Sequence, residues 1–229
     1  MRALPALLFD LDGTLVDSAQ VIASAISIVA QDRGRAAVPV SEVRPLVSQG
    51  VAVLVGTSLG TSGDALADDI STFRTILASL KADREIIYPG VEAALTQFQA
   101  IGYRMAVVTN KPFFLAKKLM EEIGLIDFFE IIVGGDTLSV SKPDPEPILH
   151  ALSALDANGS AAWLIGDSAV DEKAAFAAGV KFILFEEGYG AGECVAEMVH
   201  ARFSSFDILP ALVARGGSGS SLELELEAL

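Results

Sequence analysis

Cysteine is almost absent from this sequence. The single Cys194 allows no internal disulfide, and no cysteine cluster can hold zinc, a usage that fits a reducing compartment. Basic residues are scarce too: 16 Lys and Arg stand against 30 Asp and Glu, for a formal charge of −14. A surface so acidic excludes general nucleic-acid binding, because phosphate backbones need basic patches. Long apolar runs are also missing. None reaches the roughly 18 residues that span a bilayer. The early run Leu4–Phe9 is cut off by Asp10, too soon for a signal peptide, and no small-residue cleavage site follows it. These absences predict a cytoplasmic protein with no membrane and no nucleic acid among its partners. An acidic chain that handles phosphate needs a cation, or a few placed Lys or Arg residues, at the site itself.

What is present is apolar substance. Of 229 residues, 52% are hydrophobic, enough for one large domain or for a core with an insertion. Continuous apolar runs at Leu4–Phe9, Met105–Thr109, Ile131–Gly134, Trp163–Asp167 and Phe182–Phe185 read as buried strands of a parallel sheet. Helical patterns lie between them, over Val91–Ala100, Leu115–Ile123, Pro145–Leu155 and Asp171–Ala178. Gly102, Gly124, Gly159 and Gly179 stand where helix C-caps are expected. The alternation predicts an α/β fold with a doubly wound, mainly parallel, Rossmann-like core.

One interval breaks the rhythm. Some ninety residues separate the first strand from Met105, and a single crossover needs far fewer. Helical patterns fill the gap at Val21–Ala30, Val43–Val47, Val51–Leu59 and Ala65–Leu80, with a turn at 60–63. The expected organisation is a discontinuous catalytic core of residues 1–16 and 85–215, an inserted helical cap of residues 17–84, and a flexible Gly/Ser-rich tail of residues 216–229.

Four polar pieces fall at predicted strand ends, where open α/β sheets bind ligands. They are Asp10-Leu11-Asp12-Gly13-Thr14, Thr109-Asn110, Lys142 in Ser-Lys-Pro-Asp-Pro-Glu-Pro, and Gly166-Asp167-Ser168-Ala169-Val170-Asp171. Two carboxylates ending an apolar strand are costly unless a cation or hydrogen bonds hold them. Several carboxylates with carbonyl oxygens suit Mg2+. A carboxylate can attack phosphorus, a second can move the proton, and a lysine can offset the remaining charge. Plainer roles exist for some of these residues: Asp171 reads equally well as a helix cap, and Lys142, taken alone, as a solvated loop lysine. His150, Cys194 and Trp163 read as packing rather than chemistry.

The four motifs, in this order, resemble the haloacid dehalogenase superfamily, in its aspartate-nucleophile phosphatase branch. The resemblance covers residues 4–215. It implies that Asp10 is the nucleophile and Asp12 the general acid/base, with Thr109 and Lys142 holding the phosphoryl group and Asn110 a further phosphate contact. It implies Mg2+ bound by Asp10, the Asp12 carbonyl and Asp167, with Asp171 supporting from behind. Further phrases, among them Val-Val-Thr-Asn-Lys-Pro (107–112), Gly-Gly-Asp-Thr-Leu (134–138) and Gly-Tyr-Gly (188–190), are similar to the bacterial phosphoglycolate phosphatase subfamily. The implied substrate is a small phosphorylated metabolite, 2-phosphoglycolate first, and the implied assembly a monomer or homodimer. Arg44, Ser48 and Gln49 are the cap's expected substrate contacts. Ser48 stands where relatives carry glycine.

Asp12 separates this reading from a dehalogenase, which lacks the second aspartate. Lys81 is the one lysine between Gly13 and Ile87, which argues against a cap-lysine phosphonatase. Another small ester, pyrophosphate, hexose-phosphate mutase activity and a non-catalytic regulatory module remain as alternatives.

Overall fold

The computed structural model describes residues 6–216. Six strands, β1 (Ala6–Phe9), β2 (Arg104–Val108), β3 (Ile131–Val133), β4 (Trp163–Gly166), β5 (Lys181–Phe185) and β6 (Ala201–Phe203), form one parallel sheet in the order β3-β2-β1-β4-β5-β6. Both faces are covered, so successive strand residues enter opposite cores. Leu7, Phe9, Met105, Val107, Ile165 and Ile183 join one cluster. Ala6, Leu8, Ala106, Val108, Leu164 and Leu184 join the other. This is why the strands read as continuous apolar runs. The first cluster is closed by α5 (Val91–Ile101), α6 (Phe113–Ile123) and α9 (Leu209–Ala214), the second by α7 (Glu146–Ala154) and α8 (Ala169–Ala178). Each large apolar side chain buried this way contributes about 1.5–3 kcal/mol.

The strand order reverses between β1 and β4. This is the topological switch point where doubly wound sheets open a crevice at their carboxyl edge. The inserted interval folds as α1 (Ala19–Asp32), α2 (Val40–Val43), α3 (Val51–Leu59) and α4 (Gly63–Ser79). Ile22, Ile26, Val55, Leu59 and Phe73 build its own core, to which α6 lends Leu115. The chain's two passages between sheet and helices are bonded together: the Asp17 N–H donates to the Ile86 carbonyl at 2.7 Å, and the Tyr88 N–H to the Leu15 carbonyl at 3.1 Å.

Several sequence expectations need correction. The helix expected over Val43–Val47 is α2 followed by a 3-10 turn, Arg44–Gln49. Pro45 has no N–H to continue an α-helix. Gly102, Gly124 and Gly179 end their helices in the left-handed conformation. Gly159 does not: α7 stops at Ala154 and the left-handed residue is Asp156, with φ 45°. His150 is exposed rather than packed, because α7 turns Ile148, Ala151 and Leu152 inward and leaves His150 outside. Trp163 is buried as expected. β6 and α9 had no counterpart in the sequence reading. Leu4 and the expected tail beyond Gly216 lie outside the described residues.

Candidate active site

Asp10 leaves the end of β1, and Asp167 the end of β4, so the switch point brings the two carboxylates together. Asp171 joins them from the first turn of α8. Ligand oxygens of Asp10, Asp167 and Asp171 lie within 4.8 Å of one another, and all three residues are buried. Gly13 makes the approach possible. Its φ is +89°, and a Cβ there would stand 2.5 Å from Asp167 Oδ2. Thr14 Oγ1 donates to Asp167 Oδ1 at 3.1 Å, and the Tyr189 N–H donates to Asp167 Oδ2 at 2.6 Å. Gly188 is needed for that second bond, since a Cβ there would lie 2.2 Å from the Cβ of Asp167. The Gly-Tyr-Gly phrase is thus a carboxylate clamp.

Lys142 Nζ sits among the acids. It donates to Asp10 Oδ1 at 2.8 Å, Asp171 Oδ1 at 2.6 Å and the Val108 carbonyl at 2.6 Å. Three bonds use all three ammonium protons. The Asp171 Oδ2 atom accepts from the backbone and hydroxyl of Ser168 in a capping box at the start of α8. Asp171 therefore bonds both the start of α8 and Lys142 at once.

The electrostatics follow from burial. Asp10 is pushed up to about 7, chiefly by desolvation, with Asp171 adding to the rise and Lys142 opposing it. Asp167 is held well above the usual carboxylate range, first by burial, then by Asp171 and Asp10. Burial works to lower Lys142, but the charges of Asp10 and Asp171 overcome it and keep the ammonium charged. One lysine does not balance three adjacent carboxylates. The oxygen-only donor set and these raised values are what a hard divalent cation would satisfy. Asp10 and Asp167 fit such an ion directly, whereas Asp171 is already engaged by Lys142 and Ser168.

Asp12 points to a different set of partners. Its carboxylate accepts from Lys111 Nζ at 3.1 and 3.0 Å, and from the Ser18 hydroxyl. Asp12 stands apart from the three-carboxylate cluster and faces the cavity that Asp10, Thr109, Asn110, Lys111, Lys142 and Asp171 line. Thr109 closes the end of β2, its hydroxyl accepting from the Lys111 N–H at 3.2 Å. Asn110 Nδ2 donates to the Lys142 carbonyl at 2.9 Å, while its Oδ1 is buried without a partner.

The expected cap contacts divide. Ser48 reaches that cavity, and its hydroxyl has no hydrogen-bond partner. Arg44 does not line that cavity: it pairs with Asp17 Oδ2 at 2.9 Å and lies 4.9 Å from the Tyr189 ring centre. Gln49 turns back onto the Pro45 carbonyl. Sequence reasoning did not single out Lys111, Ser18, Thr14 and Tyr189. The signal for Lys111 was its position directly after Thr109-Asn110, at the end of a strand that carries other site groups. Burial pushes the Cys194 thiol up to about 12, which disfavours the thiolate.

Comparison with known proteins agrees with this geometry. The model of the haloacid dehalogenase-like hydrolase family matches residues 7–185, and the chain belongs to that family. A plasmid-borne phosphoglycolate phosphatase of Cupriavidus necator is 40% identical over 213 residues, covering 91% of this chain and 92% of the relative. Rhodobacter capsulatus has a phosphoglycolate phosphatase 37% identical over 218 residues, covering 91% and 96%. The crystal structure of a predicted phosphoglycolate phosphatase from Haemophilus somnus superposes with a TM-score of 0.81 at 25% identity, covering 93% of this chain and 99% of that one. Within its family the protein is a phosphatase, and its substrate is a small phosphorylated molecule. No helix among the described residues is long and apolar enough to cross a membrane.

Proposed function

We propose that this enzyme is a Mg2+-dependent phosphoglycolate phosphatase that works through an aspartyl-phosphate. The observation that carries the reading is the placement of Asp10. It sits at the switch point, 2.8 Å from Lys142 Nζ and beside Asp167. Lys142 offsets one of the cluster's three carboxylate charges, which leaves two for a divalent cation to offset.

In this reading residues 1–16 and 85–215 are the catalytic core, and residues 17–84 a cap that closes over it from the bonded hinge at Leu15–Asp17 and Ile86–Tyr88. Asp10 and Asp167, with the Asp12 carbonyl, would hold Mg2+. When bound, the ion neutralises phosphate and nucleophile so that two anions can meet. Asp10 attacks phosphorus and the ester P–O bond breaks. Asp12 gives its proton to the leaving oxygen, then takes one from the water that cleaves the aspartyl-phosphate, which returns Asp10 and frees inorganic phosphate. Lys142 steadies Asp10 throughout and offsets the phosphoryl charge through space, while Thr109 and Asn110 contact the phosphoryl oxygens. Asp171 holds Lys142 in place. A small metabolite as substrate, supported by the phosphoglycolate phosphatase names of the relatives, and a cytoplasmic location complete the proposal.

A kinetic screen of phosphorylated metabolites, with Mg2+ and with chelator, tests this. We expect metal-dependent release of phosphate with the highest kcat/KM on 2-phosphoglycolate. A preference for pyrophosphate or a hexose phosphate would move the substrate assignment, and release unaffected by chelator would remove the metal from the mechanism.

A further inference from the structure

We propose that Lys111 selects the substrate by binding the anionic tail of its leaving group, a carboxylate that lies beside Asp12 when the ester oxygen faces that acid. The proposal rests on the phosphatase reading above and deepens it. Lys111 Nζ is almost buried, with its side chain 7% exposed, and contacts both oxygens of Asp12. An ammonium has three protons, so one remains to be offered to the cavity. Lys111 also lines each of three small cavities around the cleft: the one that holds Asp10 and Lys142, the one beneath α3 and α4, and the one between α1, α4 and α6.

Of the other cations near the cleft among the described residues, only Lys142 lines the cavity that Asp10 and Asp12 share with Lys111. Lys142 has spent its three protons on Asp10, Asp171 and Val108. Arg44 pairs with Asp17 and lines a different cavity. Lys118 donates to Glu122 and to the Leu80 carbonyl. Toward the leaving group the helical block presents mainly apolar side chains, Ile22, Val47, Val51, Leu54 and Phe73, with the Ser48 hydroxyl beside them. A leaving group that suits this wall is short and ends in a charge that Lys111 meets.

Covalent geometry agrees. In a glycolate ester the carboxylate oxygens stand about 3 Å from the ester oxygen, as bonds of about 1.2–1.5 Å require. Lys111 Nζ stands 3.0 Å from the nearer oxygen of Asp12, the group assigned to protonate that ester oxygen. Proton donor and ammonium are thus spaced as ester oxygen and carboxylate are. The ammonium then lies between the tail carboxylate and Asp12, and compensates the charge that Asp12 gains as its proton passes to the ester oxygen.

The test compares 2-phosphoglycolate with 2-hydroxyethyl phosphate, which keeps the skeleton and replaces the carboxylate by a neutral CH2OH. In Lys111→Met the ratio of their kcat/KM values should fall roughly 10- to 100-fold, the usual cost of one lost charged hydrogen bond. The loss should appear mainly in KM for 2-phosphoglycolate, and Lys111→Arg should restore most of it. Inorganic phosphate has no tail, so its inhibition constant should stay within about threefold of the parent's, which also reports a folded site. The assignment is overturned if both esters lose equally, if phosphate binding weakens as much as 2-phosphoglycolate binding, or if the parent does not distinguish the esters. A parent that hydrolyses neither ester would instead overturn the phosphatase reading on which the assignment stands.

Discussion

Removing divalent metal should make this protein less stable as pH rises, and the direction follows from Asp10. Its carboxyl is pushed from an ordinary 3.8 up to about 7, mostly by burial. A group with a raised folded pKa contributes stability below its unfolded value and loses that contribution as pH climbs through the folded value. The window for the metal-free protein is therefore about pH 4 to 7. A shift of this size corresponds to about 4 kcal/mol, as an upper figure, at 1.36 kcal/mol for each pKa unit. Asp167, also raised, works in the same direction. For a protein of this length 1 kcal/mol moves the melting temperature by about 2–4 °C. Between pH 5 and pH 8 about two of those three pKa units are crossed, about 2.7 kcal/mol, so Asp10 alone should make the chelated protein melt roughly 5–11 °C lower at pH 8 than at pH 5.

Magnesium should reverse the trend, because it favours the ionised acids. At a hundred times its dissociation constant a ligand specific to the folded state adds about 2.7 kcal/mol. Thermal melts at pH 5, 6.5 and 8, each with chelator and with Mg2+, measure both effects. Stabilisation by Mg2+ should grow with pH across this range. A chelated protein equally stable at pH 5 and pH 8, or a Mg2+ effect that is constant with pH, would refute the reasoning. Asp10→Asn gives a second check: removing the buried charge should flatten the pH slope of the chelated protein, and a slope as steep as the parent's would assign it elsewhere.

The same variant should lack turnover altogether, with inorganic phosphate measured under single-turnover conditions; retained hydrolysis would contradict the nucleophile. Asp12→Ala should lower kcat on alkyl phosphates by about 10^2–10^4-fold, the usual worth of acid–base help. Its loss on p-nitrophenyl phosphate should be smaller, because that leaving group needs less protonation, and an equal loss on both would argue against proton transfer. Gly13→Ala places a Cβ 2.5 Å from Asp167 Oδ2 at a φ of +89°. It should cost about 1–3 kcal/mol in urea melts and weaken Mg2+ binding, and an unchanged melt would show that the turn relaxes freely. Arg44→Ala removes a half-exposed ion pair with Asp17, worth at most about 1 kcal/mol. It should change kcat/KM for 2-phosphoglycolate by less than about threefold, and a tenfold loss would return Arg44 to the substrate.

The sheet was legible because each of its inner strands is buried on both faces and so reads as an unbroken apolar run. Where burial supplied less signal, reading failed. β6 is three residues, Ala201–Phe203, with an exposed arginine in the middle, and no periodicity can be read from so short a run. The acids of the site were legible for a related reason. An apolar strand that ends in aspartate departs from its own local pattern, and a departure of that kind marks function or strain. Lys111, Ser18 and Tyr189 carry no such mark. Each looks like an ordinary polar residue at a helix or loop boundary, and its role exists only because the fold brings distant segments within hydrogen-bond reach: Lys111 to Asp12, 99 residues apart, and Tyr189 to Asp17, 172 apart. Arg44 shows the converse. Its position in the cap invited a substrate role, yet Asp17 and Tyr189 satisfy its guanidinium beside the hinge. Side chains that create a local anomaly can be found from sequence, whereas those that answer an anomaly elsewhere need the fold. That division places the acids proposed to react among the first kind and Lys111, proposed to read the leaving group, among the second.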